Sequence, residues 1–202
     1  MKRTTLDVVF SVGGLLLAGL LLILGLVLQN QADFAKSYVK NQLSEQKITF
    51  TPVKGLAPQE KQASCLVANA SQPLTTGKQA ECYANKYIGL HLTEVNGGKT
   101  YSESSADSRT LQAKAAAAAT AEPNDPATIA LQNQAKELSG KVDTLFRGET
   151  LRGLLLTSYG FSIFGDRAHQ AALVSFGAAL VLLLASIAGF IHAFATSKER
   201  AI

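Results

Sequence analysis

Residues 8–32 read VVFSVGGLLLAGLLLILGLVLQNQA, and residues 168–197 read AHQAALVSFGAALVLLLASIAGFIHAFATS; neither stretch holds an Asp, Glu, Lys or Arg. Each exceeds the ~20 apolar residues that carry an α-helix across a hydrocarbon core. The 202-residue chain is 47% hydrophobic and only 17% charged, against about 25% charged in soluble domains. The shortfall sits in these two runs, which argues against a wholly soluble protein. A net charge of +4 with scattered basic residues argues equally against nucleic-acid binding. The expected fold class is mostly α: a two-helix transmembrane hairpin with an extracytoplasmic helical domain between the spans. Its expected boundaries are a cytoplasmic N-terminus at 1–7, transmembrane helix 1 at 8–30, the domain at 31–167, transmembrane helix 2 at 168–196 and a cytoplasmic C-terminus at 197–202.

Orientation rests on charge and cysteine. Lys2 and Arg3 precede the first run and Lys198 and Arg200 follow the second, which favours cytoplasmic termini in a plasma membrane. Lys36, Lys40, Arg152 and Arg167 vote the other way. The first run is long for a signal peptide and no Ala-x-Ala site follows, so an uncleaved anchor is expected. The two cysteines, Cys65 and Cys82, both lie between the runs. A lone pair there suits a structural disulfide in an oxidising compartment; free thiols or a redox pair are the alternatives, and no Cys-x-x-Cys supports the latter.

Local patterns divide the middle segment into helices. Phe34, Ala35, Tyr38, Val39 and Leu43 continue one helical face beyond the first run, predicting an unbroken helix to about Gln46. Residues 48–53 read as a short extended piece closed by Pro52. Pro58 is expected to open a short helix carrying Cys65. Thr76-x-x-Gln79 and Thr100-x-x-Glu103 are capping boxes, and Asn96-Gly97-Gly98 is a stop between their helices. Asp125-Pro126 starts another helix, whose Leu131, Ala135, Leu138, Val142 and Leu145 form a seam for packing on the first helix. Residues 147–164 are expected either as an amphipathic helix at the headgroup level, Arg outward, or as a buried stem, with Gly165-Asp166-Arg167 breaking the run.

The words Leu74-Thr75-Thr76-Gly77-x-Gln79-Ala80, Tyr83-Ala84, His91-Leu92, Gly97-Gly98-Lys99-Thr100-Tyr101 and Leu145-Phe146-Arg147-Gly148-Glu149-Thr150-Leu151-Arg152-Gly153 resemble an uncharacterised actinobacterial family of small two-span membrane proteins. The resemblance covers most of residues 1–196 and implies that architecture and a bacterial lineage. Some relatives carry the label "aromatic ring-opening dioxygenase". The residues do not support the label here. Non-haem iron chemistry wants two His and a carboxylate together. On a straight helix, His169 and His192 stand roughly 35 Å apart, and His91 has only Glu94 one turn on.

No catalytic residue, cofactor or metal ligand is therefore expected, and the chain is not expected to be an enzyme. His192 has no acid or base beside it within either run, so interhelical hydrogen bonding is its expected role. Small residues carry more signal: Gly14 and Ala18 on the first span, and Ala171, Ser175, Ala179 and Ala185, Gly189, Ala193 on two faces of the second. They let helix backbones approach closely in lipid, one face serving the hairpin and the other a neighbour. The expected partners are the bilayer and another protein or a second copy. The leading expectation is an accessory or scaffold subunit of a cell-envelope complex, or a homo-oligomer. A homo-oligomeric channel or lipid-handling assembly and a membrane-anchored enzyme are the alternatives.

Overall fold

The computed structural model describes residues 3–195; the topology signals Lys2, Lys198 and Arg200, and the expected C-terminal segment 197–202, lie outside them. The described chain is mostly helical: α1 (Arg3–Glu45), α2 (Ser64–Ala68), α3 (Gly77–Cys82), α4 (Gly89–Val95), α5 (Tyr101–Ala121) and α6 (Pro126–Ala195), with short 3-10 turns at Val53–Gly55 and Glu60–Gln62 and a π turn at Tyr83–Ile88. It forms two compact units, one of residues 1–38 with 161–202 and one of residues 39–160. The second is smaller than the segment 31–167 marked out by charge.

In the first unit α1 and α6 run antiparallel, and small residues set every close approach. Ser11 of α1 sits over Gly189 of α6, and Ser186 of α6 over Gly14 of α1, so a Ser-x-x-Gly tetrad on each helix packs reciprocally on the other. Further along, a side chain on Gly25 would meet the Phe176 ring at 2.5 Å and one on Gly165 would meet the Ala35 methyl at 2.8 Å. Polar pairs close both ends. His192 Nδ1 hydrogen-bonds Asp7 Oδ2 at 3.0 Å, and His169 Nδ1 donates to Gln29 Oε1 at 2.8 Å while Gln29 donates onward to Asp33. The interhelical hydrogen bond expected of His192 is present: its partner is Asp7, one residue outside the uncharged run, which the antiparallel register brings across.

Both helices are long and apolar enough to cross a membrane, with only 17% and 22% of their most apolar windows buried. A core helix of a soluble protein would be mostly buried. Instead Phe10, Leu16, Leu20, Ile23 and Leu26 on α1 and Val174, Val181, Leu184, Ile191 and Phe194 on α6 are exposed.

The second unit is built around Phe50, Leu56, Leu66, Leu74, Ala80, Ala84 and Ile88, joined by Val39 and Leu43 from α1 and Leu145 and Leu155 from α6. Residues 48–50 are extended as expected. Phe50 and Ile48 exchange backbone hydrogen bonds with Ser71, Gln72 and Leu74, which leaves the Phe50 ring 2% exposed. The helix carrying Cys65 begins at Ser64 rather than at Pro58, because a separate 3-10 turn at Glu60–Gln62 intervenes. Both capping boxes form, with Thr76 accepting from the Gln79 N–H and Thr100 from the Glu103 N–H. The stop at Asn96-Gly97-Gly98 places both glycines at positive φ, +61° and +81°, where a Cβ is costly. The Asp125 carboxylate caps α6 through the Ala127 N–H at 3.3 Å.

Two expectations about α6 fail. It runs as one helix from Pro126 to Ala195, so Gly165-Asp166-Arg167 breaks nothing and residues 147–164 are not a separate amphipathic helix. One Gly costs a helix only about 1 kcal/mol, and Arg167 is held within the helix by Gln170 at 2.9 Å. The seam also divides. Leu145 joins the core with α1 residues, whereas Leu131, Leu138 and Val142 are only half-buried. Phe146 of α6 meets Tyr101 at the start of α5, with ring centroids 5.6 Å apart, and the buried residues of α5 and of the first turns of α6 are small: Ser104, Ser108, Ala115, Thr128 and Ala135.

The start of α5 is acid-sensitive. The Thr100 N–H and hydroxyl both bond the Glu103 carboxylate and hold its pKa below the ordinary value, with smaller help from Lys99. A lowered native pKa means that the stabilisation is complete above the unfolded-state value, about 4.3, and is lost as pH falls through the lower native one. Amide protection in the first turn of α5, measured as exchange relative to an unstructured peptide at the same pH, should therefore fall below about pH 4. Glu103→Gln should show lower protection that depends less on pH. Protection that is constant across this range in the wild type would contradict the cap.

Candidate functional site

The winding from Gly77 to Val95 changes pitch at Tyr83–Ile88, where the Gly89 N–H reaches five residues back to the Ala84 carbonyl. Such π turns widen a helix by one residue and recur at functional sites. At Gly89 a Cβ would lie 3.3 Å from the Ala84 oxygen, tighter than an ordinary contact, and 3.6 Å from Arg152 Nε, which reaches this point from α6. Arg152 is thus half-buried against the π turn, not outward-facing as the amphipathic-helix reading of residues 147–164 has it. Its two terminal nitrogens donate to Asn85 Oδ1 at 3.2 Å and Glu149 Oε2 at 3.1 Å, while Nε is buried and has no hydrogen-bond partner among the described residues.

These groups line a cleft of about 570 Å³ with Gln59, Gln62, Lys86, Lys99 and Thr100. Small-molecule sites commonly occupy ~300–1,000 Å³. Lys99 stands on the rim, bonded to Asp107 at 2.6 Å. That bond raises the pKa of its ammonium, with the Asp107 charge adding to it.

One wall of the cleft is fastened by a buried acid. Glu60, between Gln59 and Gln62, has a side chain only 4% exposed. Its Oε2 accepts the Ala57 N–H at 2.6 Å, and its Oε1 lies 3.6 Å from His91 Nε2. The Tyr87 carbonyl takes a hydrogen bond from His91 Nδ1 at 2.8 Å, so that nitrogen carries a proton and Nε2 faces the acid. His91 leans on Tyr87, Tyr87 stacks on Tyr83 and Tyr83 meets the Phe50 ring edge-on, with centroids 4.6, 4.7 and 5.3 Å apart. Burial first, and then the charges of Tyr87 and Glu60, pushes the Tyr83 hydroxyl above its ordinary pKa. The acid that His91 faces is therefore Glu60, at 3.6 Å, and not Glu94, the neighbour one helical turn on. Among the described residues no three His, Cys, Asp or Glu side chains stand together as a metal cage would need.

The sequence-predicted positions fall as follows. Cys65 and Cys82 are bonded. In the paired long helices Ala18, Ser175, Ala179 and Ala193 are buried, Gly14 and Gly189 lie under the two serines, and Ala171 and Ala185 are exposed. Gly189 is thus occupied within the chain and not free for a neighbour. Glu60, Asn85, Gly89 and Asp7 were not singled out from sequence, because each matters through a partner distant in the chain. Arg152 was noted only as a charge near the membrane. No protein-family model, curated protein or solved structure matches the chain.

Proposed function

We propose that the chain is a two-pass integral membrane protein of the bacterial plasma membrane, with both termini cytoplasmic and the middle domain outside. In this reading it is non-catalytic, an accessory or scaffold subunit of a cell-envelope complex or a homo-oligomer. The observation that carries the membrane reading is the distance between the two polar cross-links of the long helices. Asp7–His192 and Gln29–His169 are separated by roughly 33 Å at 1.5 Å per residue, close to the ~30 Å hydrocarbon core. Exposed apolar side chains fill the interval. The Cys65–Cys82 bond supports an oxidising compartment for the domain, and the likeness to a two-span actinobacterial family supports the same plan. Ala171 and Ala185, the small residues left exposed, suit close approach of a neighbouring helix.

Orientation is tested on spheroplasts with a membrane-impermeant protease. The middle segment should be cut and terminal tags spared; loss of the tags alone would invert the topology. Native mass in mild detergent should show a hetero-complex or a closed homo-oligomer, and Ala185→Leu should lower it without impairing insertion. A monomer in native membranes and across detergents would sink the scaffold reading.

A further inference from the structure

Beyond the membrane reading, and without depending on it, the geometry points to an oxyanion-binding site in the cleft at Arg152. We propose that it holds the phosphate-type dianion of a small molecule or a lipid headgroup. Three cations, Lys86, Lys99 and Arg152, face a single carboxylate, Glu149, in the lining. Arg152 uses one N–H of each terminal nitrogen, towards Glu149 and Asn85, and the other N–H of each is left for a ligand; a planar guanidinium fork matches an oxyanion.

The cleft is also organised around that fork. The π turn brings Asn85 onto one arm of Arg152, the guanidinium lies against Gly89, and Lys86, next to Asn85, is exposed with no ion pair among the described residues. Glu149 and Asp107 hold the other two cations through exposed pairs. Exposed pairs are weak, so an arriving dianion displaces a carboxylate from Arg152 or Lys99 at small cost. Lys86 keeps a positive charge after Glu149 and Asp107 are counted, and displacing either carboxylate frees a second, which a phosphate-type dianion matches better than a carboxylate head.

The test uses the full chain in mild detergent with inorganic phosphate as the probe. The melting temperature should rise saturably with phosphate relative to sodium chloride of matched ionic strength, because a ligand that binds only the folded state stabilises it. Lys86→Ala should weaken the apparent affinity by about tenfold, the scale of one charge-assisted contact, and Glu149→Gln should strengthen it. Arg152→Gln should abolish the response; because Arg152 also packs on the π turn, the two exposed variants keep the test valid if that one fails to fold. A second arm places the protein in phosphatidylcholine vesicles with and without phosphatidic acid. A response to free phosphate assigns a soluble ligand. A response to phosphatidic acid alone, lost in Lys86→Ala, assigns a headgroup. Identical melting in phosphate, chloride and both vesicles overturns the proposal, as does a response that Lys86→Ala and Glu149→Gln leave unchanged.

Discussion

Removing the Cys65–Cys82 bond, by Cys65→Ala with Cys82→Ala or by reductant, is expected to destabilise the unit of residues 39–160 by about 3 kcal/mol. The chain-entropy argument for a loop of this size gives that figure, the two cysteines being 17 residues apart. Against a typical domain stability of about 5–15 kcal/mol, that is a large loss. Local structure offers little to replace the bond. Of the two segments that it ties, α2 has five residues, far below the ~12–15 residues at which an isolated helix becomes even marginal in water, and α3 is the first turn and a half of the Gly77–Val95 winding. What remains between them is a hydrogen bond from Gln79 to Asn69 at 3.1 Å and the burial of Leu66, Leu74 and Ala80. Denaturant unfolding followed by tyrosine fluorescence, with and without reductant, reads the effect. Coincident transitions would mean that the bond does not form in the native protein or that packing alone holds the segment. Since the same bond supports the oxidising side for this domain, free thiols in protein taken from intact cells would also remove one support for the proposed topology.

How much of this was legible in the sequence follows a physical divide. Signals that act within one turn of backbone were readable: the Thr76 and Thr100 capping boxes, the glycine stop at 97–98, the Asp125 cap and the unbroken exit of α1 to Glu45. The caps rest on a side chain satisfying a nearby backbone group, the stop on glycine tolerating positive φ, and the α1 exit on unbroken helical spacing. The cleft was not readable, because its parts come from separate elements. Arg152 meets Asn85 across 67 positions, and Glu60 reaches His91 from a turn that has no marker of its own. The π turn at Tyr83–Ile88 has no sequence signature either; helical spacing alone made His91 and Glu94 look like the pair. Nothing near Asp7 in sequence points to His192; antiparallel register alone brings the two together. Gly165 was misjudged for a related reason. A glycine beside two charged residues looks like punctuation when only neighbours in sequence are considered, and like a spacer once Ala35 is seen against it.

The two interpretations of Gly165 predict opposite signs, which makes it the sharpest test of the helix pair. If Gly165 were only a weak point in α6, Gly165→Ala would stabilise the helix by about 1 kcal/mol through propensity alone. In the structure the added methyl lies 2.8 Å from the Ala35 Cβ and 3.5 Å from the Ala32 carbonyl. Neither atom can rotate away, since one is a methyl fixed to the backbone and the other is backbone. Ala35 is itself 1% exposed, so α1 must move bodily. Overpacking of this kind costs about 1–3 kcal/mol, which outweighs the propensity gain; Gly165→Ala should be destabilising and Gly165→Leu more so. Gly177 is the internal control. It lies on the same helix with no atom within 4 Å of its would-be Cβ, so Gly177→Ala should be neutral or stabilising and Gly177→Leu tolerated. Thermal unfolding of the four variants in one detergent, with membrane insertion checked separately, compares the two sites directly. If Gly165→Ala melts above the wild type, as a propensity gain requires, the close approach of α1 and α6 at this level is wrong. If both sites lose stability together, glycine is needed along this helix for a reason other than contact with Ala35. Destabilisation confined to Gly165 would tie the continuity of α6 to its packing: the helix passes unbroken through a Gly-Asp-Arg sequence because the glycine is where its neighbour touches it.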